Sequence, residues 1–261
     1  MYARNKVLLT AVLLIYAFLL APLLVIVAVS FNPTSGFRIP LTEFSLRWFE
    51  KFFTTGSFRD SLFLVSLPIA LVSAVCATLI GGAAAIALVR TQLVGRDVIE
   101  SIFMLPLLIP SILLGAALYL VFAKIGASGS FWSLVLGHTL LGIPYVIRVI
   151  GAGLVTINPA LEEAAISLGC TRFQAFVRVV LPLIRSSILS GAIFAFIISF
   201  SDINLALFVA GPGTTTLPIH IFSQIFWEGD PTIAAASTVQ ILVVGSLILV
   251  MQRVFNIRLS F

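Results

Sequence analysis

Charged side chains are scarce in this chain. They make up 10% of the 261 residues, while hydrophobic residues make up 60%; soluble domains carry roughly 25% charge. So thin a polar complement cannot coat a water-soluble globule, and the bilayer is the expected solvent. Cysteine is limited to Cys76 and Cys170. One lies in an apolar run and one in a polar loop, so they build no disulfide framework, and both are read as packing residues. Histidine is limited to His138 and His220. Neither has a companion ligand nearby in sequence, so no metal site is expected. His138 is read as a helix-packing hydrogen-bond donor and His220 as a solvated outer-loop residue. The chain has no Gly-x-x-x-x-Gly-Lys-Ser/Thr phosphate loop, so it is not expected to hydrolyse ATP by itself or to hold a cofactor. Its net charge of +5 never gathers into a basic patch interleaved with aromatics, which argues against nucleic acid.

Long apolar runs are what the chain does have. A hydrocarbon core of ~30 Å takes ~20 apolar residues in a helix. Six runs meet or approach that length, at 7–29, 61–89, 99–122, 132–150, 186–209 and 233–250. The expectation is an all-α membrane protein of six transmembrane helices, a single domain over 1–261. The first run follows basic residues, as a signal peptide does. Its apolar core exceeds the ~7–15 residues of one and no A-x-A site follows, so it is expected to persist as a helix. Lys and Arg then give the orientation. Ten fall in one set of loops (Arg4, Lys6, Arg90, Arg96, Arg148, Arg172, Arg178, Arg185, Arg253, Arg258), against five in the other (Arg38, Arg47, Lys51, Arg59, Lys124). Positive charge inside puts both termini and the loop 156–185 in the cytoplasm, with loops 32–60 and 210–231 outside.

The stretch 158–182, N-P-A-L-E-E-A-A-I-S-L-G-C-T-R-F-Q-A-F-V-R-V-V-L-P, is a polar island in this apolar chain. Asn158 suits an N-cap, Pro159 the first helical position, and Glu162 and Glu163 the positive end of the helix dipole. Gly169 ends that helix. Thr171 and Gln174 then stand three apart, as in a capping box, and Arg172, Arg178 and Arg185 make the next helix basic. Two helices meeting at a glycine form an elbow. The pattern Glu163-Ala164-Ala165, three residues, Gly169, nine residues, Val179, one residue, Leu181-Pro182 resembles the signature loop of permease subunits of ATP-binding-cassette importers. Val179 stands where that family usually has isoleucine. The resemblance implies a type I importer permease fold and a cytoplasmic elbow docked on a separate ATPase, with Glu162, Glu163, Ala164, Ala165, Gly169 and Arg172 as coupling residues. It also implies a cassette ATPase dimer that binds ATP and Mg, an extracytoplasmic solute-binding protein, a second permease subunit, and a multi-pass position in the bacterial cytoplasmic (inner) membrane. The permease pair is taken as a heterodimer, although the residues leave homodimeric pairing open.

Elsewhere, Phe44, Trp48, Phe49, Phe52 and Phe53 form an aromatic stripe expected to lie flat at the membrane interface, or to receive an outer partner. Gly81-Gly82-Ala83-Ala84-Ala85 allows close helix packing. Pro106, Pro110, Pro144 and Pro182 loosen their helices; a bend that serves gating is one reading, and a static kink is the one expected. The fifth run carries Ser199, Ser201, Asp202 and Asn204. A carboxylate facing lipid is costly, so Asp202 should face the bundle interior. There it serves a solute path, or pairs with a hydroxyl or histidine on a neighbouring helix. This segment and the following F-V-x-G-P-G-x-T-T-L-P region look like the corresponding part of spermidine and putrescine permeases. Members of that group often have two adjacent acids where this chain has Ser201 and Asp202. The single acid leaves room for a monocationic or zwitterionic solute, opine-type or aminophosphonate compounds included.

Three functions are compatible with these residues. The first is a non-catalytic permease subunit powered by a separate ATPase. The second is a self-sufficient secondary transporter or channel, which commonly shows internal repeats and paired mid-membrane ionisable groups; no convincing repeat is seen. The third is an intramembrane serine hydrolase, for which no nucleophile or oxyanion motif speaks. The first is the reading adopted.

Overall fold

The computed structural model describes residues 2–34, 43–91, 93–227 and 230–255. Arg38, Glu228 and Arg258 lie outside the described residues. In chain order the helices are α1 (Tyr2–Ser30), α2 (Arg47–Thr54), α3 (Gly56–Asp60), α4 (Leu67–Arg90), α5 (Arg96–Leu108), α6 (Ser111–Lys124), α7 (Phe131–Val155), α8 (Ala160–Ser167), α9 (Arg172–Ala175), α10 (Leu181–Leu183), α11 (Arg185–Ser201), α12 (Ala206–Val209), α13 (Leu217–Trp227) and α14 (Thr232–Phe255). The described residues contain no strand. Among the described residues, four helical stretches are long and apolar enough to cross a membrane, or up to six if each of two bent pairs counts as one span.

Proline chemistry explains the irregular turns. Wide, π-type turns at Ser61–Ser66 and Phe176–Val180 each run directly into Leu-Pro, at Pro68 and Pro182. A proline cannot donate to the carbonyl four residues back and its ring crowds it, so the preceding turn opens. At Pro110 the effect is larger. Ile109, before the proline, turns extended (φ −90°, ψ 128°), as the steric clash with a following proline favours. α5 and α6 therefore meet at 102°. The expected kink in the third run is a full break. Pro144, by contrast, sits inside an uninterrupted α7. The fifth run also departs from its expected extent, because α11 stops at Ser201 and helix resumes only at Ala206.

Two compact units emerge from the packing. One comprises Met1–Asp60 and His220–Val243. Here α2 divides the aromatic stripe. Trp48 and Phe52 are buried, whereas Phe44 and Phe53 are exposed, so the stripe does not lie flat as one surface. Burying Trp48 requires a partner for its indole N–H, which donates to the Asn32 carbonyl at 2.7 Å. The Arg47 guanidinium lies 4.3 Å from its ring centroid. His220 is half-buried and packs edge-on against Phe58, with centroids 4.3 Å apart. It is a packing residue and not the solvated one expected. Lys51 pairs with Asp230. Burial alone would raise the Asp230 carboxyl, but the Lys51 ammonium and the N–H and hydroxyl of Thr232 outweigh it and hold that carboxyl below its ordinary value.

The other unit comprises Ser61–Ile219 and Val244–Phe261, and its centre is α4, α7 and α11 packed on one another. Small residues set the spacing. A Cβ on Gly142 of α7 would stand 3.0 Å from the Ala77 methyl of α4 and 3.1 Å from the Ala195 methyl of α11. One on Gly81, in the expected small-residue run, would stand 2.9 Å from Val146 Cβ. The three helices therefore touch almost backbone to backbone, a packing that lipid-embedded bundles favour. Ser73 of α4 donates to the Val135 carbonyl of α7 at 3.2 Å, adding a polar tie.

Candidate functional site

The elbow is built from local chemistry. The Asn158 side-chain oxygen accepts the Ala160 N–H at 3.0 Å and opens α8, with Glu162 and Glu163 in its first turn. Its end is a Schellman closure: the Gly169 N–H donates to the Ile166 carbonyl at 2.9 Å and the Cys170 N–H to the Ala165 carbonyl at 3.1 Å. That geometry needs a left-handed residue, and Gly169 supplies φ +94°. Thr171 and Gln174 then form the expected reciprocal capping box, at 3.2 and 3.0 Å.

α8 has no buried residue. Glu163, Ala164, Gly169 and Arg172 are exposed, as are Arg178 and Arg185. Leu168 is 88% and Phe173 75% exposed, so apolar surface on the elbow stands uncovered by this chain. Glu162 and Ala165 are half-buried. Glu162 turns back and accepts from Arg90 at the end of α4, at 2.9 Å. The six expected coupling residues thus divide between an outward face and an inward tie. In the sequence Arg90 is a topology signal alone, and no local pattern links residues 72 positions apart.

A second polar locus lies inside the α4, α7 and α11 packing. His138 of α7, 1% exposed, shares a 2.8 Å hydrogen bond between Nδ1 and the Ser199 hydroxyl of α11. Its Nε2 stands 3.6 Å from Asp202 Oδ2 and has no hydrogen-bond partner. The same carboxylate oxygen accepts the N–H groups of Leu205 and Ala206 at 3.0 and 3.1 Å. Asp202 therefore caps the short helical turn leading into α12 while facing an imidazole. Ser199 and Asp202 belong to one cluster; Ser201 and Asn204 are exposed and stand apart from it. A histidine partner had been foreseen as a type of residue, but His138 itself had been assigned only to packing.

Asp202 also lines a cavity of about 440 Å³ at the α5–α6 break, together with Pro106, Pro110, Ser111, Leu141 and Tyr145. The break ends α5 here, and a helix C-terminus presents unpaired carbonyls with partial negative charge. A carboxylate, a phenol, a hydroxyl and an apolar wall are thus gathered in one space.

Apolar spans, a broken helix beside an intramembrane acid, and a polar elbow with a solvent-facing surface define a helical permease subunit of a membrane transporter. The chain belongs to the binding-protein-dependent transport system inner membrane component family, whose pattern it matches over residues 77–261. It is 30% identical over 238 residues to the spermidine/putrescine transport system permease protein PotC of Haemophilus influenzae, covering 91% of this chain and 92% of that one. It is 33% identical over 240 residues to the putrescine transport system permease protein PotI of Escherichia coli K12, covering 89% and 85%. Its fold matches a chain of a bacterial alginate ABC transporter solved with an alginate pentasaccharide-bound periplasmic protein (TM-score 0.70, 17% identity, covering 97% and 93%). The chain is a permease subunit of an ATP-binding-cassette importer, a transport component and not an enzyme.

Proposed function

We propose that this subunit passes a small amine-containing solute, cationic or zwitterionic, of the polyamine or opine kind. The observation that carries this reading is the Asp202 carboxylate lining a cavity at the end of α5. A cation there meets a negative side chain and the negative end of a helix dipole. The similarity to permeases named for spermidine and putrescine supports the same class. The acid of this segment stands single, with Ser201 beside Asp202, which favours a solute of low charge.

In this reading the elbow 158–182 lies in the cytoplasm and docks on a dimeric cassette ATPase that binds ATP and Mg. The exposed Glu163, Ala164, Arg172, Leu168 and Phe173 form the docking face. A second permease subunit, as a heterodimer, completes the pathway in the bacterial inner membrane, and an extracytoplasmic solute-binding protein delivers cargo. ATPase closure moves the elbow and shifts the bundle between two access states.

The test is reconstitution of the whole importer in liposomes, with uptake measured for putrescine, spermidine, neutral amino acids and opines. ATP-dependent uptake of an amine, lost when the ATPase is omitted, is expected. Uptake by this chain alone, driven by an ion gradient, rejects the proposal.

A further inference from the structure

We infer that Arg90 is a positioning residue for energy coupling: it ties the elbow to α4, so that the motion of α8 reaches the bundle through α4 as well as through α7 and α11, to which the chain itself joins it. The inference rests on the elbow's proposed docking to an ATPase.

The covalent route from α8 runs forward through α9 into α11 and backward into α7. Among the described residues, the only side-chain hydrogen bond joining α8 to a span distant in sequence is Arg90 Nη1 to Glu162 Oε2, at 2.9 Å. The two side chains are 21% and 26% exposed, so water screens the pair less than it screens a surface ion pair. Arg90 is the last residue of α4, where a cation also favours the helix dipole. Its position makes it a handle on the whole helix, because α4 has no slack. The near-backbone contacts at Gly81 and Gly142 leave no room for α4 to slide past α7 without repacking.

The guanidinium holds a reserve. Arg90 Nη2 is buried and has no hydrogen-bond partner, although an arginine fork is shaped to take both oxygens of one carboxylate. An unpaired buried donor is a cost, and a modest rotation of α8 that brings the second Glu162 oxygen to Nη2 removes it. The pair thus has a single-bond and a double-bond arrangement, and movement of the elbow selects between them.

The experiment uses the complete importer carrying Arg90→Glu, Glu162→Arg, the double swap, or Arg90→Lys. Readouts are solute delivered per ATP hydrolysed, the thermal midpoint of the complex, and ATPase co-purification. Arg90→Glu should lower the delivery ratio about tenfold, within the range of typical coupling between sites, with the thermal midpoint and co-purified ATPase at wild-type levels. The swap should recover most of the ratio, and Arg90→Lys, which keeps the charge without the fork, only part of it. An unchanged ratio in Arg90→Glu overturns the inference. So does a fallen ratio matched by a fallen thermal midpoint, which makes the pair merely structural. Failure of the docking reading is seen separately in the wild-type background: a Glu163→Cys elbow that never cross-links to the ATPase overturns both.

Discussion

The elbow and the His138 cluster are two polar loci of one apolar unit, and they are held together in opposite ways. The elbow's caps join residues two to five positions apart, at Asn158, Gly169 and Thr171. It buries none of α8. The cluster joins His138 and Ser199, 61 positions apart and both buried, and only its Asp202 is also held locally, by the Leu205 and Ala206 N–H groups. Locally built structure keeps its shape while it moves, as a lever must. Structure built from distant parts is specified only when those parts are assembled, and it changes when they shift, as a pathway lining must. On the proposed function, the first suits a transmitting piece and the second a pathway lining.

That contrast breaks first at Gly169. No atom lies within 4 Å of a Cβ built there, so substitution costs backbone strain and no clash. At φ +94° a β-branched residue is strained by about 1–2 kcal/mol. Gly169→Val is expected to reduce ATP-driven uptake to background while membrane insertion and yield stay near wild type; Gly169→Asn, which tolerates left-handed backbone better, should retain part of the activity. Normal uptake by the valine variant removes the elbow's closure from the coupling mechanism.

Asp202 gives the next largest effect and separates its two roles. Asn keeps an oxygen for the Leu205 and Ala206 N–H groups but removes the charge, whereas Ala removes both. Asp202→Asn should keep its thermal stability and lose about tenfold in uptake of a cationic solute, equivalent to about 1.4 kcal/mol. Asp202→Ala should lose a further ~1 kcal/mol of stability, as for a deleted helix cap. Uptake kinetics unchanged in the Asn variant make the acid purely structural. His138→Ala belongs to the same locus. It leaves the Ser199 hydroxyl buried and unpaired, at about 1–3 kcal/mol, and a double-mutant cycle with Ser199→Ala should return roughly 1 kcal/mol of coupling. Additive effects break the cluster into independent parts.

How much of this was legible in the sequence follows the same division. The helical class, the apolar runs and the elbow with its caps are properties of neighbouring residues, and Asn158, Gly169, Thr171 and Gln174, named for the caps, are the ones that build them. The full break at Pro110 was read as a kink. One proline with an extended residue before it suffices to end a helix, but whether the chain then turns by 102° depends on what receives α6. The tie from Glu162 to Arg90 and the pairing of His138 with Ser199 and Asp202 were out of reach. Each depends on the register of one helix against another, which no spacing within a helix encodes. The buried Trp48 and Phe52 were misjudged for a related reason: an amphipathic stripe gives a face without naming what covers it.

Asp230 supplies the control for Asp202, and the smallest expected effect. Both acids accept from backbone N–H just ahead of a helix and both face a basic side chain: His138 for Asp202, Lys51 for Asp230. They differ in the partner's exposure, which is 0% for the His138 side chain and 47% for that of Lys51. The Asp230 carboxyl is held below its ordinary value, so its contribution is present above the unfolded carboxylate range and fades as pH falls through the folded value. With Lys51 half in water the pair is worth under about 1 kcal/mol. Lys51→Gln should therefore shift the thermal midpoint slightly at pH 7 and leave it unaltered once the medium is acid enough to protonate Asp230; high salt should mimic the substitution. A large effect, or one that persists in acid, puts Lys51 to a use other than pairing and removes the contrast between an acid whose partner is half in water and one whose partner is fully buried.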